Sequence, residues 1–380
     1  MMTTTFLNQR FIVDLATRAR PTVMPQSGAF CHQHFNRYQP IISGFWLSNL
    51  PISCPLRVNY ILTAVSPLII WAALLEQPRE MLYSLRSHWN KRRFGWLTRA
   101  ILRSPPIHLV DANWSIVSMV SNTDVQMYLL SIKSLYARIG RGKIVAIIDH
   151  DMPQHLRQLL RHHIVGIQFV ILEDIETRRC QRGGTWERLV FLLDHAQHEY
   201  MIQVDSDTLA FGADLAEVLE CVESNRAFTL SNAGQSIRSM REYAENAQKL
   251  ESRYVGIHAE RLFDRYPGSD QLCYVRGSSG LAGFAVGAFD PATIEDFHEN
   301  MRRAMGDEAW RKWGTEQCGS NFAVANSPGA AVLPYPKYAN YSPDLQPGAY
   351  SFLHFIGTHR YDNDFFATKG QEVIQELLTA

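Results

Sequence analysis

From residue 107 onward the chain alternates short runs of strand formers with longer runs whose apolar residues recur every three or four positions. Ile116–Val120 reads as a strand, followed by the polar loop Ser121–Asp124. Val125–Ile139 places Met127, Leu129, Leu130, Ile132, Leu135 and Tyr136 at helical spacing, and Gly140 and Gly142 stop it. Lys143–Ile148 is the next predicted strand, ended by Asp149–Asp151; a helix over Pro153–His163 and a third strand over Val165–Leu172 follow. Gly183 and Gly184 precede a predicted helix, Trp186–His195, which leads into the strand Tyr200–Val204. Strand–helix–strand repeated in this way predicts an α/β, Rossmann-like fold: a mostly parallel sheet with right-handed crossovers, flanked by helices. Ligands of such sheets bind beyond the carboxyl ends of the strands. Ser121–Asp124, Asp149–Asp151 and Asp205–Asp207 all fall there.

Further along, Gly212–Cys221 reads as a short helix, and residues 231–270, polar and helical in pattern, as an insertion or a cover. The Gly/Ser-rich segment Gly277–Gly287 predicts a tight turn and a close backbone approach near a ligand. It is no phosphate loop, because no Lys-Ser/Thr follows it. Pro291–Met305 reads as a helix. An aromatic and Pro-rich stretch then runs to Tyr350, and Phe352–Tyr361 reads F-L-H-F-I-G-T-H-R-Y.

Residues 1–105 have a different pattern. They hold Pro21, Pro25, Pro40, Pro51 and Pro55 and then two helix-like runs. The most hydrophobic window, Tyr60–Leu75, sits at the lower limit of a membrane span and has Pro67 in its middle, which predicts a buried helix pair bent at that proline. The second run, Pro78–Arg103, mixes Met81, Leu82, Leu85, Trp89, Phe94, Leu97 and Ile101 with Arg86, His88, Lys91, Arg92, Arg93, Arg99 and Arg103. This basic amphipathic pattern fits either a helix face packed on the main domain or, through residues 86–103, a peripheral contact with anionic lipid headgroups or a lipid-linked substrate. Pro105 and Pro106 mark a boundary. The expected organisation is a mainly helical N-terminal extension (1–105), one α/β domain (106–366) and a C-terminal helix or tail (367–380).

Charge narrows the partners. Lys+Arg and Asp+Glu both number 37, and this zero net charge argues against nucleic acid. The six cysteines, at 31, 54, 180, 221, 273 and 318, form no C-x-x-C pair. They read as reduced thiols and, with no signal-peptide pattern around Arg10, Asp14, Arg18 and Arg20, predict a cytoplasmic protein, peripheral at a membrane if residues 86–103 do touch lipid.

The candidate chemistry starts at Asp205-Ser206-Asp207. Two carboxylates one residue apart at the end of a buried strand repel each other unless a positive charge sits between them. A divalent cation, Mg²⁺ or Mn²⁺, is the simplest compensation. An Asx-type turn closing the strand is the simpler alternative.

Three segments resemble those of GT-A fold nucleotide-sugar glycosyltransferases, and in particular the retaining, glycogenin-like family 8. Val204-Asp205-Ser206-Asp207 is similar to that family's D-x-D. Glu316-Gln317-Cys318-Gly319-Ser320-Asn321 is similar to its D-Q-x-x-x-N, with Glu in place of the first Asp. His354-x-x-Gly357-x-x-Arg360 is similar to its H-x-x-G-x-x-K, with Arg in place of the Lys. Ser278-Ser279-Gly280 departs from the family, which usually has an Asn before its Gly. The resemblance implies a metal-dependent transfer from a nucleoside-diphosphate sugar, with UDP as the expected nucleotide. It makes Asp205, Asp207 and His354 the metal ligands, and Gly357 and Arg360 the phosphate contacts. Arg188, Ser121, Asn122 and Asp124 become donor-binding residues; Gln317 would stabilise the sugar in transfer, and Glu316 would orient the acceptor or the sugar hydroxyls. The bland alternatives are a core histidine at 354, a solvated salt-bridge partner at 188, a surface arginine at 360, a plain polar turn at 121–124 and helix-surface residues at 316 and 317. A nucleotidyltransferase or a nucleotide-sugar binding protein with a degenerate site would compete for the same features, but Ser121–Val125 lacks the glycines the former usually carries. The acceptor (glycan, lipid-linked intermediate, small molecule or protein) is not encoded in these segments.

Overall fold

The computed structural model describes residues 87–212, 214–345 and 350–379. The Tyr60–Leu75 window, Cys31 and Cys54 lie outside these residues. Strands β1 (Trp114–Val120), β2 (Lys143–Ile148), β3 (Gln168–Ile171) and β4 (Tyr200–Val204) run parallel to their neighbours in the order β4-β1-β2-β3. Beyond β4 the seven-stranded sheet continues through the antiparallel strand Gly277–Phe284 to Phe228–Ser231 and Ala331–Val332. The chain moves outward from β1 through β2 to β3 and then returns to the other side of β1. The crevice between the carboxyl ends of β1 and β4 is therefore the topological switch point, where open α/β sheets hold their ligands.

Predicted helices and strands match where the pattern carries local stop signals. Helix α1 (Val125–Ile139) ends on Gly140 in the left-handed region, φ 70°. Asp290 caps the helix Pro291–Met305 by accepting from the Ala292 amide at 2.9 Å, with Pro291 in the first turn. Three expectations need correction. The strand expected over Val165–Leu172 splits at Gly166 (φ 94°) into Ile164–Val165, paired with Ile107–His108, and β3. The helix expected at Gly212–Cys221 is Ala216–Glu223. Gly277–Gly287 is mostly strand: its first eight residues are a fully buried strand in the sheet interior, and the turn is confined to Val286–Gly287, with Gly287 at φ 64°. Its glycines serve close packing, since a Cβ at Gly283 would collide with Phe228 and Tyr200.

A second sheet of three strands, Tyr338–Asn340, Phe352–His354 and Thr208–Ala210, stands at the carboxyl rim. Phe355 fixes it to the core by stacking on Phe366 at 4.0 Å between ring centroids, and Phe366 also meets Phe94 at 4.5 Å. The helical residues 87–97 thus pack on the C-terminal helix Phe365–Thr379, with Phe94 and Ile101 buried. Among the described residues no helix is long and apolar enough to cross a membrane.

Candidate metal and phosphate site

Asp205, Ser206 and Asp207 form the loop leaving β4. Helix α1 holds this loop: Ser131 Oγ donates to the Asp205 carbonyl at 3.0 Å and bonds Thr208 Oγ1 at 2.6 Å. From the other side the Asp205 amide donates to the Gly280 carbonyl at 3.1 Å. The strand Gly277–Phe284 slips register between Ser278 and Ala282, beside this bond. Phe352–His354 runs antiparallel to Thr208–Ala210, and the Phe355 amide donates to the Asp207 carbonyl at 2.8 Å. These ladders bring the His354 ring to the carboxylates across some 150 residues of sequence.

His354 Nε2 lies 3.6 Å from Asp205 Oδ2 and 3.3 Å from Asp207 Oδ1. One ligand atom from each of the three residues lies within 4.8 Å of the others. The far side of the ring sets its tautomer. Nδ1 meets Asn340 Oδ1 at 3.0 Å, and the Asn340 amide nitrogen is already donating to Asn232 Oδ1 at 3.1 Å. Nδ1 is therefore a donor, and Ser278 Oγ, 2.9 Å away, lies beside it. Nε2 then faces the carboxylate oxygens: as an imidazolium it donates to them, and with a divalent cation in between its electron pair becomes a ligand. This donor set of two carboxylates and one imidazole oriented by an amide fits Mn²⁺ or Mg²⁺. Gly280 makes room for it, because a Cβ there would collide with the His354 ring. The close approach expected of the glycine-rich segment is thus an approach to this histidine.

Two arginines also sit on the carboxylates, although none is nearby in sequence. Arg188 donates to Asp205 and lies 3.8 Å from Glu316; it is a salt-bridge partner, buried instead of solvated. Arg360 donates to Asp207 and to the Phe355 carbonyl, the latter at 3.1 Å. Gly357, at φ 52°, opens the turn that delivers it. Burial opposes the charge on Asp207, but the Arg360 guanidinium and His354 outweigh it and hold the carboxyl well below its ordinary range.

Glu316 and Gln317 stand at the start of the helix Thr315–Ala325. Glu316 is buried, accepts from Thr185 Oγ1 at 3.0 Å, and has its carboxyl pushed up to about 7 by burial against the pull of Arg188. Gln317 is fixed at both ends: Nε2 donates to the Tyr254 hydroxyl at 3.0 Å and Oε1 accepts from Ser279 Oγ at 3.3 Å. The cover segment 231–270 therefore reaches the site through Tyr254. Ser121, Asn122 and Asp124 lie across the switch crevice, on the loop leaving β1. Ser121 Oγ donates to Asp124 at 2.6 Å, and Lys91 also binds Asp124, at 2.8 Å. Tyr361, half-buried, feels the charges of both Asp124 and Asp207 and so lies between the two loops.

Buried polar atoms without a partner occur here: Asn122 Oδ1, Arg188 Nε, Gln203 Oε1 and Ser206 Oγ. Such atoms are costly unless a ligand or water meets them. Asn340, Ser278, Tyr254 and Tyr361 escaped the sequence reading; only Ser278 was flagged there, as a departure from a family pattern.

No protein-family model matches the chain, and no curated protein does. Solved structures do. The bifunctional glycosyltransferase WbbM in its apo form matches at 14% identity and TM-score 0.42, over 72% of this chain and 53% of its own. The galactosyltransferase LgtC in complex with donor and acceptor sugar analogues matches at 12% and 0.39, over 70% and 96%. The apo-form glycosyltransferase GlyE of Streptococcus pneumoniae matches at 13% and 0.41, over 70% and 63%. The chain thus spans about half the length of the WbbM chain.

Proposed function

We propose that this protein is a metal-dependent glycosyltransferase that moves a sugar from a nucleoside-diphosphate sugar, with UDP as the expected nucleotide, to an acceptor hydroxyl. The observation that carries the reading is the trio Asp205, Asp207 and His354, whose ligand atoms lie within 4.8 Å of one another with Nε2 of His354 turned on the two carboxylates. These three would hold Mn²⁺ or Mg²⁺, which supplies charge neutralisation for the diphosphate when bound. Arg360 and the Gly357 turn grip phosphate oxygens, a task suited to the planar guanidinium fork. Ser121, Asn122 and Asp124 receive the nucleoside beside them, which gives the unpartnered Asn122 Oδ1 a role.

In the transfer, the bond from the anomeric carbon to the diphosphate breaks and one to the acceptor oxygen forms. The acceptor's proton leaves with the departing diphosphate, and the configuration is retained. Gln317, locked by Tyr254 and Ser279, presents an amide dipole of fixed direction to the developing cationic centre. Arg188 positions Asp205 and Glu316, and Glu316 orients the sugar hydroxyls or the acceptor. The four cysteines among the described residues are free, which suits a reducing, cytoplasmic setting. Calorimetric titration of a nucleoside-diphosphate series with and without Mn²⁺ tests the reading. Binding of one diphosphate that requires the metal is expected; binding of none, or equal binding after chelation, overturns it.

A further inference from the structure

The segment 87–103 carries five lysines and arginines and no aspartate or glutamate. Its two faces differ. On the inner face Phe94 and Ile101 are buried, Lys91 bonds Thr123 and Asp124, and Arg93 pairs with Asp364 at 2.6 Å. On the outer face Trp89, Arg92 and Trp96 share one side of the α-helical turns at spacings of three and four residues, and Arg99 and Arg103 follow in the 3-10 helix Arg99–Arg103. Trp89 is 68% exposed, Trp96 62% and Leu102 40%. Arg92 and Arg103 make no ion pair among the described residues, and Arg99 lies over the Trp96 ring at 5.5 Å.

We infer that this outer face docks the protein on an anionic membrane surface. Indole rings and guanidinium groups in alternation suit the headgroup layer, where the ring enters the acyl boundary and the cation stays with phosphate. A zero net charge for the whole chain makes the local excess of cations specific to this face. Lys91 and Arg93 tie the same helix to the 121–124 loop and to Asp364, just after Arg360, so docking holds the mouth of the candidate site at the lipid surface. If the transferase reading holds, this favours an acceptor carried in that membrane. The docking itself does not depend on that reading.

The test is flotation of the full chain with vesicles of phosphatidylcholine alone or with phosphatidylglycerol added. Binding that needs the anionic lipid and weakens with salt is expected. In the variant Arg92→Gln/Arg99→Gln/Arg103→Gln it falls about a hundredfold, at roughly fivefold per arginine, while Mn²⁺-dependent nucleoside-diphosphate binding is unchanged. Equal binding to neutral vesicles, or a triple variant that binds as well as the parent, overturns the inference and leaves the transferase reading intact. A second readout uses Trp89→Cys with maleimide labelling of that position. Fast labelling in solution that slows on anionic vesicles supports the docking. Slow labelling without vesicles means that residues 1–86 cover the face, and overturns it.

Discussion

The two ends of the parallel strands β1, β2 and β4 share one core but differ in how their polar groups are satisfied. At the amino ends lies a cleft of about 440 Å³, lined by Asp111, Asn113, Trp114, Arg141, Tyr200, Glu223 and Asn225 among others. Its polar groups are spoken for. Arg141 pairs with Glu223 at 2.6 Å, the Tyr200 hydroxyl donates to the Arg226 carbonyl at 2.6 Å, and Asn225 exchanges two bonds with the backbone of Val286. No lining side chain is left buried without a partner. At the carboxyl ends buried polar atoms lack partners and two carboxylates face an imidazole. Unmet polar demand chooses the end where ligands of such sheets bind.

The largest expected effect tests that choice directly. Asp207→Asn should lower Mn²⁺-dependent affinity for the diphosphate by more than a hundredfold, beyond the roughly 10–100-fold that outer-shell changes cost. Arg141→Ala, in the open cleft, should leave that affinity within about twofold in the same calorimetric experiment. Equal losses in both variants would erase the distinction between the two ends.

A second, smaller effect separates orientation from ligation. Asn340→Ala removes the acceptor that fixes Nδ1 of His354, and metal affinity should fall about 10–100-fold. Asn340→Asp, which keeps an acceptor, should recover most of it. A drop in thermal stability with unchanged metal affinity would reduce Asn340 to a packing role.

The third effect concerns pH. The Glu316 carboxyl stands at about 7 in the folded protein against an ordinary 4.5, so the folded state holds a proton that the unfolded chain releases. Its burden on stability is absent below about pH 4.5 and grows as pH rises to about 7, reaching at most about 3 kcal/mol. Glu316→Gln should therefore melt higher than the parent at pH 8, with the difference vanishing near pH 4.5. Identical pH profiles would mean that Arg188 fully offsets the burial. Smallest of all, Arg141→Ala should change stability by less than about 1 kcal/mol, as expected of an exposed ion pair.

How much of this could be read from the sequence depended on how local the cause was. Val125–Ile139, Lys143–Ile148, Trp186–His195, Tyr200–Val204 and Pro291–Met305 came out at their observed limits because periodicity and glycine or proline punctuation lie within each segment. The tight turn expected of Gly277–Gly287 is confined to Val286–Gly287, and the glycines before it lie in a strand because they answer to side chains elsewhere: Gly280 to His354, Gly283 to Phe228 and Tyr200. The trio Asp205, Asp207 and His354 was proposed from a resemblance, and the structure brings it together. Arg188 reaches Asp205 from the helix that precedes the strand, while Arg360 on Asp207 and Asn340 behind the imidazole follow from strand pairing over long separations. No local pattern encodes them.

The three-stranded rim sheet has a consequence for synthesis. Thr208–Ala210 pairs only with Phe352–His354 in that sheet. When a ribosome has made residue 210, about 140 residues must still be translated before that partner exists, roughly 7–28 s at ordinary elongation rates. Throughout that interval the strand is an unpaired edge, a template that another nascent chain can occupy. Cells making this protein quickly therefore face a window of misassociation that closes only when His354 arrives.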